Sequence, residues 1–434
     1  MKVRKIGAFA LALTMCASIL TGCGQKEAPT DQSGDQSGEK TQVTLWGWED
    51  EAFAEGIKRF NEDNPDIEIV YTPVGSSEYV QKVQTALTTG TPLPDIACLE
   101  ADSRGKLFEL DCWENLENGE YDFDRNEIVD YLLPLMTNPK GEVVCVDWQL
   151  CPSGIAYKRD MAKQYFGTDD PDELAAMLPD WESFIKEGVR VKDETDGAVK
   201  MFAGLGDINR IVFNQVTEPI VRDGKIYMDD SFGHLFDVQA KMRDAGVVGN
   251  LEIWSPAWAA SFADKTHIFY PCTTWVPYFF IQPNDPEGVG NWGLMTPPDG
   301  SYSWGGTAFA ITKQSEHKQE AWKFIQWMLL SENGVKFNDE VTGYPTPMKA
   351  KYDDPEYVSG SDELFGGQNL KEKFFKDLMV DMEVRPLTPY DVAFWDVVGL
   401  ETINLNSDPT LTADAALEHA KQEIHNKIPD LDIA

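Results

Sequence analysis

Histidine is scarce in this chain, with five in 434 residues, at positions 234, 267, 317, 419 and 425. No two of them share the helical spacing that holds a metal, so neither a catalytic metal nor any other cofactor is expected. Positive charge is also short. Lysine and arginine number 37 against 73 aspartates and glutamates, a formal net charge of −36. A surface of that sign repels phosphate backbones, which argues against nucleic acid as a partner. The acidity reads instead as the soluble surface of an exported protein. P-loop, H-E-x-x-H and G-x-S-x-G patterns are absent. Gly288-Val289-Gly290-Asn291-Trp292-Gly293 fits G-x-G-x-x-G literally. It follows Pro283-Asn284-Asp285-Pro286 rather than a strand and opens no helix, so a dinucleotide site is not read here. Gly204-Leu205-Gly206 lacks the third glycine.

Long apolar runs are limited to the first residues. Lys2, Arg4 and Lys5 precede an apolar stretch over residues 6–20, too short for a spanning helix of about 20 residues. Leu20-Thr21-Gly22-Cys23 follows with the pattern of a bacterial lipobox. The reading is a signal peptide over 1–22, a diacylglycerol on Cys23, and anchoring by two acyl chains. Residues 24–41 hold no apolar side chain larger than alanine or proline, and carry Asp-Gln-Ser-Gly twice, at 31–34 and 35–38. They are read, with Cys23, as a flexible tether spanning roughly 25 Å root-mean-square. Of seven cysteines, Cys16 leaves with the signal and Cys23 is lipidated. Cys98, Cys112, Cys145, Cys151 and Cys272 remain, an odd number that cannot all pair within one chain. Cys145 and Cys151 are the candidate bridge; the preferred reading is that most are small buried hydrophobes.

What is present is a core. Apolar residues make up 42% and aromatics 11%, with 13 tryptophans, and the length fits two domains. Residues 43–46 read as a strand. Phe53, Ile57 and Phe60 form a helical stripe stopped at Asn64-Pro65. Ile67, Ile69 and Tyr71 alternate as a second strand. Ser76-Ser77 can cap a helix bearing Val80, Val83 and Leu87, ended by Gly90. Residues 95–99 read as a third strand. This β-α-β-α-β order predicts a parallel sheet with crossover helices. Further on, residues 143–146 and 155–157 read as strands flanking a bend at Pro152-Ser153-Gly154. Residues 224–228 read as a strand and 231–245 as a helix. Ala308 to Ile311 is expected as a strand before a helix carrying Ala321, Phe324, Ile325, Met328 and Leu329.

Four stretches resemble the extracellular solute-binding proteins of carbohydrate ABC importers, the class that includes maltose-binding protein. They are Val43-Thr44-Leu45-Trp46 with its following helix and Asn64-Pro65-Asp66-Ile67; Gly90-Thr91-Pro92-Leu93-Pro94-Asp95-Ile96; Leu178-Pro179-Asp180-Trp181-Glu182-Ser183-Phe184; and Gly305-Gly306-Thr307-Ala308-Phe309-Ala310-Ile311 with Glu320-Ala321-Trp322-Lys323-Phe324-Ile325. The resemblance implies an α/β, type II periplasmic-binding-protein-like fold: two lobes joined by hinge strands around a ligand cleft. Lobe I would comprise 42–147 plus 305–337, and lobe II 148–304 plus 338–434. Crossings are expected near Val146-Asp147-Trp148, near 303–306 and around 335–343. The implied role is a monomeric, lipid-anchored, non-enzymatic receptor that passes a carbohydrate to a permease. Cys145 and Cys151 depart from the family's usual residues at the first crossing.

Sugars offer apolar C–H faces to aromatic rings and hydroxyls to carboxylates and amides. Any single tryptophan is more often core than platform, so position decides. Trp46, Trp48 and Glu49 follow the first strand at its carboxyl end, where open α/β sheets bind ligands. Ser76 and Ser77 follow the second strand, and Glu100 and Asp102 the third. Asp147 and Trp148 lie at the first crossing; Asp207, Asn209 and Arg210 follow an apolar stretch in the second lobe. Trp258 stands in non-periodic surroundings. The resemblance adds Trp275 as a stacking aromatic, Trp304 and Gly305 before the hinge, and Tyr344 and Arg385 facing the cleft. Two other readings stay open: a lipid-anchored glycoside hydrolase with paired carboxylates, and a binder of a peptide or polyamine. The absence of eight βα units argues against the first.

Overall fold

The computed structural model describes residues 40–48 and 51–434. The signal, Cys23, most of the tether and Glu49 lie outside the described residues. Thirteen strands occur among them. In chain order these are β1 (Thr41–Gly47), β2 (Ile67–Pro73), β3 (Ile96–Glu100), β4 (Val146–Asp147), β5 (Pro152–Lys158), β6 (Lys200–Phe202), β7 (Val221–Arg222), β8 (Lys225–Ile226), β9 (His267–Thr273), β10 (Trp292–Met295), β11 (Tyr302–Ser303), β12 (Thr307–Ile311) and β13 (Asp432–Ile433).

They form two main sheets, one per lobe. The first has the order β2-β1-β3-β12-β4, with β1 parallel to β2 and β3, and β12 antiparallel to β3 and β4. The second has the order β10-β5-β9-β6, with β11 joining β5. A small third sheet, β13-β8-β7, sits at the chain's end. The expected β-α-β-α-β start is present. The helix Glu51–Asp63 turns Phe53 and Phe60 inward to zero exposure, each contributing about 1.5–3 kcal/mol by burial. Phe53 meets Trp148 at 4.7 Å and Phe309 at 5.7 Å, tying the first helix to the strands near the lobe junction.

Three local expectations are corrected. Pro152-Ser153-Gly154 is not a bend but the start of β5. Proline is tolerated at a strand's first residue. Gly154 is needed because a Cβ there would stand 2.6 Å from the Met295 carbonyl oxygen on the neighbouring strand. The strand expected over 224–228 shrinks to Lys225–Ile226, the return arm of a hairpin turned at Asp223-Gly224. Ser76 and Ser77 do not cap their helix. It begins at Ser76 itself, with Gly75 as its cap and no side-chain bond there. The candidate Cys145–Cys151 bridge is not formed: no disulfide joins any of the five described cysteines, and all are buried, the reading preferred from the sequence. Burial pushes the thiols of Cys112, Cys145 and Cys151 up to about 12.

The chain passes between the two main sheets at 148–151, between β4 and β5, and at 304–306, between β11 and β12. These crossings are stitched to each other. Thr307 oxygen accepts from the backbone of Trp148 at 2.7 Å and Gln149 at 3.1 Å, and Cys151 oxygen accepts from Trp304 at 3.2 Å. Gly305 and Gly306 have φ of +85° and +122°, where a side chain is strained. A Cβ on Gly306 would lie 2.8 Å from the Gln149 carbonyl oxygen. Beside the first crossing Arg104 is wholly buried and Asp147 nearly so. Arg104 Nη1 and Nη2 donate to the two Asp147 oxygens at 2.9 and 2.8 Å, and the guanidinium also reaches the carbonyls of Leu99 and Leu135. Removing one partner of such a pair leaves an uncompensated buried charge. Asp147→Ala is expected to cost about 3–5 kcal/mol, measurable as a fall in the urea midpoint at unchanged slope.

Candidate functional site

A cleft of about 320 Å³ lies between the lobes, lined by Trp48, Ser76, Glu100, Asp102, Gln149, Arg210, Trp254, Trp275, Trp304, Gly305, Gly306 and Thr307. The first lobe supplies its polar wall from the carboxyl ends of β1 and β3. β1 ends at Gly47, and Trp48 follows, half-buried and edge-on to Tyr79 at 6.0 Å. Ser76, freed from capping, opens the second helix at the rim. Glu100 closes β3, and Asp102 stands in the first turn of the helix Ala101–Phe108. Burial, with the neighbouring Asp102 carboxylate, pushes the Glu100 carboxyl up to about 8.

The second lobe supplies an aromatic wall. Trp275 and Trp304 meet at 4.8 Å, Trp254 and Trp304 at 5.6 Å, and Trp254 lies over Trp275 at 6.2 Å with planes 27° apart. Trp254 is 43% exposed and has φ +70°. Bulky residues rarely adopt that conformation, and the surroundings must hold it. The holding groups are visible. Trp258 meets Trp254 edge-on at 5.3 Å, and its Nε1 donates to Asp207 at 2.8 Å. Asp207 also accepts from the Gly204 amide at 3.0 Å. Burial pushes the Asp207 carboxyl up to about 7.

The lobes meet across the cleft through Arg210, on the helix Leu205–Val212. Its guanidinium stands 3.8 Å from Asp102 and lies over the rings of Trp395 at 4.5 Å and Trp304 at 5.8 Å. At the hinge, Gln149 accepts from the Thr307 hydroxyl at 2.7 Å and donates to the Tyr344 hydroxyl at 3.0 Å.

Of the residues singled out from the sequence, Trp48, Ser76, Glu100, Asp102, Arg210, Trp275, Trp304 and Gly305 are brought together on this cleft. Others stand behind it. Asp147 is spent on Arg104. Trp148 is buried, stacked on Phe309 at 5.8 Å with its Nε1 on Asn338. Tyr344 is buried behind Gln149, and Asp207 and Trp258 support Trp254. Asn209 is buried on the same helix as Arg210. Trp46 turns toward the second helix, with the Lys82 ammonium 4.4 Å from its ring. Ser77 is exposed beyond the lining, and Arg385 lines a separate chamber. Sequence reasoning did not select Gln149, Trp254, Gly306 and Thr307. Trp254 carried a signal, a tryptophan outside any periodic stripe just before Ser255-Pro256; Gln149 carried none.

The raised Glu100 carboxyl has a measurable consequence. Its folded value near 8 exceeds the ordinary 4.5, so its contribution to stability is intact below pH 4.5 and is lost as pH rises toward 8. Glu100→Gln is expected to flatten the fall in Tm across that window relative to the native chain, removing about 5 kcal/mol of pH dependence. Parallel curves for the two proteins would count against this.

The family model of bacterial extracellular solute-binding proteins matches residues 55–363. Solved structures of the same shape include an extracellular solute-binding protein of family 1, at TM-score 0.79 and 19% identity, covering 89% of this chain and 99% of that one. The sugar-binding protein MalE of Xanthomonas citri matches at TM-score 0.74 and 18% identity, over 90% and 98%. The galacto-N-biose/lacto-N-biose I-binding protein of a Bifidobacterium longum ABC transporter matches at 0.73 and 16%, over 92% and 100%. A search of curated protein sequences finds no match. The family match spans most of the chain and the two-lobed fold agrees with it: this protein belongs to the bacterial extracellular solute-binding proteins.

Proposed function

We propose that the chain is the extracellular receptor of an ABC importer, capturing a sugar or oligosaccharide between its lobes and delivering it to the membrane permease. The observation that carries this is the division of the cleft into an indole bank and a hydroxyl-binding bank. Trp254, Trp275 and Trp304 offer apolar ring faces, opposite Ser76, Glu100, Asp102 and Gln149. A pyranose ring has both kinds of surface and needs both. MalE is a sugar-binding protein, and the Bifidobacterium longum protein is solved in complex with lacto-N-biose.

In this reading lobe I is 42–147 plus 305–337, and lobe II is 148–304 plus 338–434. The protein acts as a monomer and is held at the outer membrane face by lipid on Cys23. No helix among the described residues is long and apolar enough to cross a membrane, in keeping with an anchor outside the fold. The reading is also of a binder rather than an enzyme. Glu100 and Asp102, the carboxylates of the cleft, sit two residues apart on one wall. Glycoside hydrolysis asks for carboxyls flanking the bond. A polyamine is disfavoured because it would meet the Arg210 guanidinium.

Calorimetric titration with neutral hexoses and their short oligomers tests this. At least one is expected to bind saturably and unaltered. Trp275→Ala is expected to weaken that ligand about tenfold to a hundredfold, from the loss of one stacking face. Failure of every sugar to bind, or release of new reducing ends at enzymatic rates, would overturn the proposal.

A further inference from the structure

Beside Gly305 a second, smaller chamber adjoins the cleft. Asp102 and Gly305 line both spaces. The chamber is about 50 Å³, walled by Asn214, Ser303, Val384, Arg385, Asp391 and Trp395 among others. The chamber is far smaller than the adjoining cleft of about 320 Å³, which suits a short arm of a ring seated in the cleft rather than a second ring. Arg210 marks its mouth, lying over Trp304 on the cleft side and Trp395 on the chamber side.

Arg385 is the unusual group there. It is 9% exposed, and its Nε has no hydrogen-bond partner. The carboxylate that faces it, Asp391, stands 3.9 Å away, beyond hydrogen-bond reach. Asp391 is already engaged, accepting from the Thr388 amide at 2.8 Å and the Thr388 hydroxyl at 3.0 Å. On its other side the guanidinium carbon lies 4.9 Å from the centre of the Phe213 ring. The Nε is sealed from the chamber, so a ligand there meets only the outer guanidinium nitrogens, whose facing carboxylate lies beyond hydrogen-bond reach. By contrast Arg104, equally buried, has its donors met by Asp147 and two carbonyls.

We infer that the chamber is a specificity subsite for the exocyclic hydroxymethyl arm of a sugar ring seated on the indole bank, with Arg385 donating to the arm's oxygen. This rests on the sugar-binding reading above and narrows it to hexoses over pentoses. The lining explains why the arm carries a hydroxyl. A hydroxyl can accept from Arg385 and donate to Asp102, Ser303 or Asn214. A carboxylate in the same place would face Asp102 and Asp391 with no proton to give.

The test uses the full chain and matched sugars that differ only in the arm: glucose with xylose, galactose with L-arabinose, mannose with lyxose, and cellotriose with xylotriose. The native protein is expected to bind the hexose of at least one pair about tenfold or more tighter than its pentose, because the pentose leaves Arg385 without its acceptor. Arg385→Gln is expected to bring the hexose down to the pentose's affinity while pentose binding holds. Arg385→Lys, which keeps the charge but not the fork, restores only part of the gap. Val384→Phe fills the chamber from a half-buried position and tests the same point if Arg385→Gln does not fold; it too is expected to erase the preference. Equal binding by the native chain within every pair that binds, or a preference unchanged in these variants, overturns the subsite and leaves sugar binding standing. Binding of no sugar in the panel overturns both.

Discussion

A guanidinium sealed away from water organises the junction of this molecule. Arg104 rises from the helix that begins just after Glu100 and grips Asp147 on the last strand before the chain leaves the first lobe. It also holds the Leu99 carbonyl in β3 and the Leu135 carbonyl. One side chain thus fixes the strand end that presents Glu100, the turn that presents Asp102, and the departure of the first crossing segment. Fully satisfied buried networks of this kind specify one arrangement, because any slip leaves several groups unpaired. The polar wall of the cleft is rigid for that reason.

The aromatic wall is held in another way. Trp254 occupies a strained backbone conformation, and what keeps it there is a short chain of support: Gly204 amide to Asp207, Asp207 to Trp258, Trp258 to Trp254. Gly206 makes room for Ile253, where a Cβ would come within 2.9 Å. Rigid positioning of rings before a ligand arrives lowers the ordering cost of binding. The two walls are therefore set independently, one by an ion pair and one by stacked indoles, and Arg210 reaches from one to the other.

Much of this was legible in the chain itself. The β-α-β-α-β opening follows from period and stop signals at Asn64-Pro65 and Gly90, which act locally. The ends of β1 and β3 follow from the same pattern, so Trp48, Glu100 and Asp102 could be placed on the cleft without coordinates. Asp147, Trp148 and Trp258 were also near the right place, but proximity in sequence to a crossing does not say which way a side chain turns. Each has a buried partner hundreds or tens of residues away, such as Asn338 for Trp148, and no local signal encodes that. Gln149 shows the converse. It is an ordinary polar residue in the sequence, and it becomes part of the site because Thr307 and Tyr344 approach it from distant segments. Pro152-Ser153-Gly154 has turn chemistry, yet pairing with β9 and β11 draws it into a sheet.

The five buried thiols give the fold an independence from redox conditions. Burial holds Cys112, Cys145, Cys151 and Cys272 as protonated groups, poor nucleophiles and poor targets for oxidants. Cysteines on the surface of an extracellular chain would cross-link it to its neighbours; among the described residues each sulfur is kept inside the core. Its folding after secretion then calls for no oxidase or isomerase, and its stability is indifferent to whether the surrounding medium is aerated or anoxic.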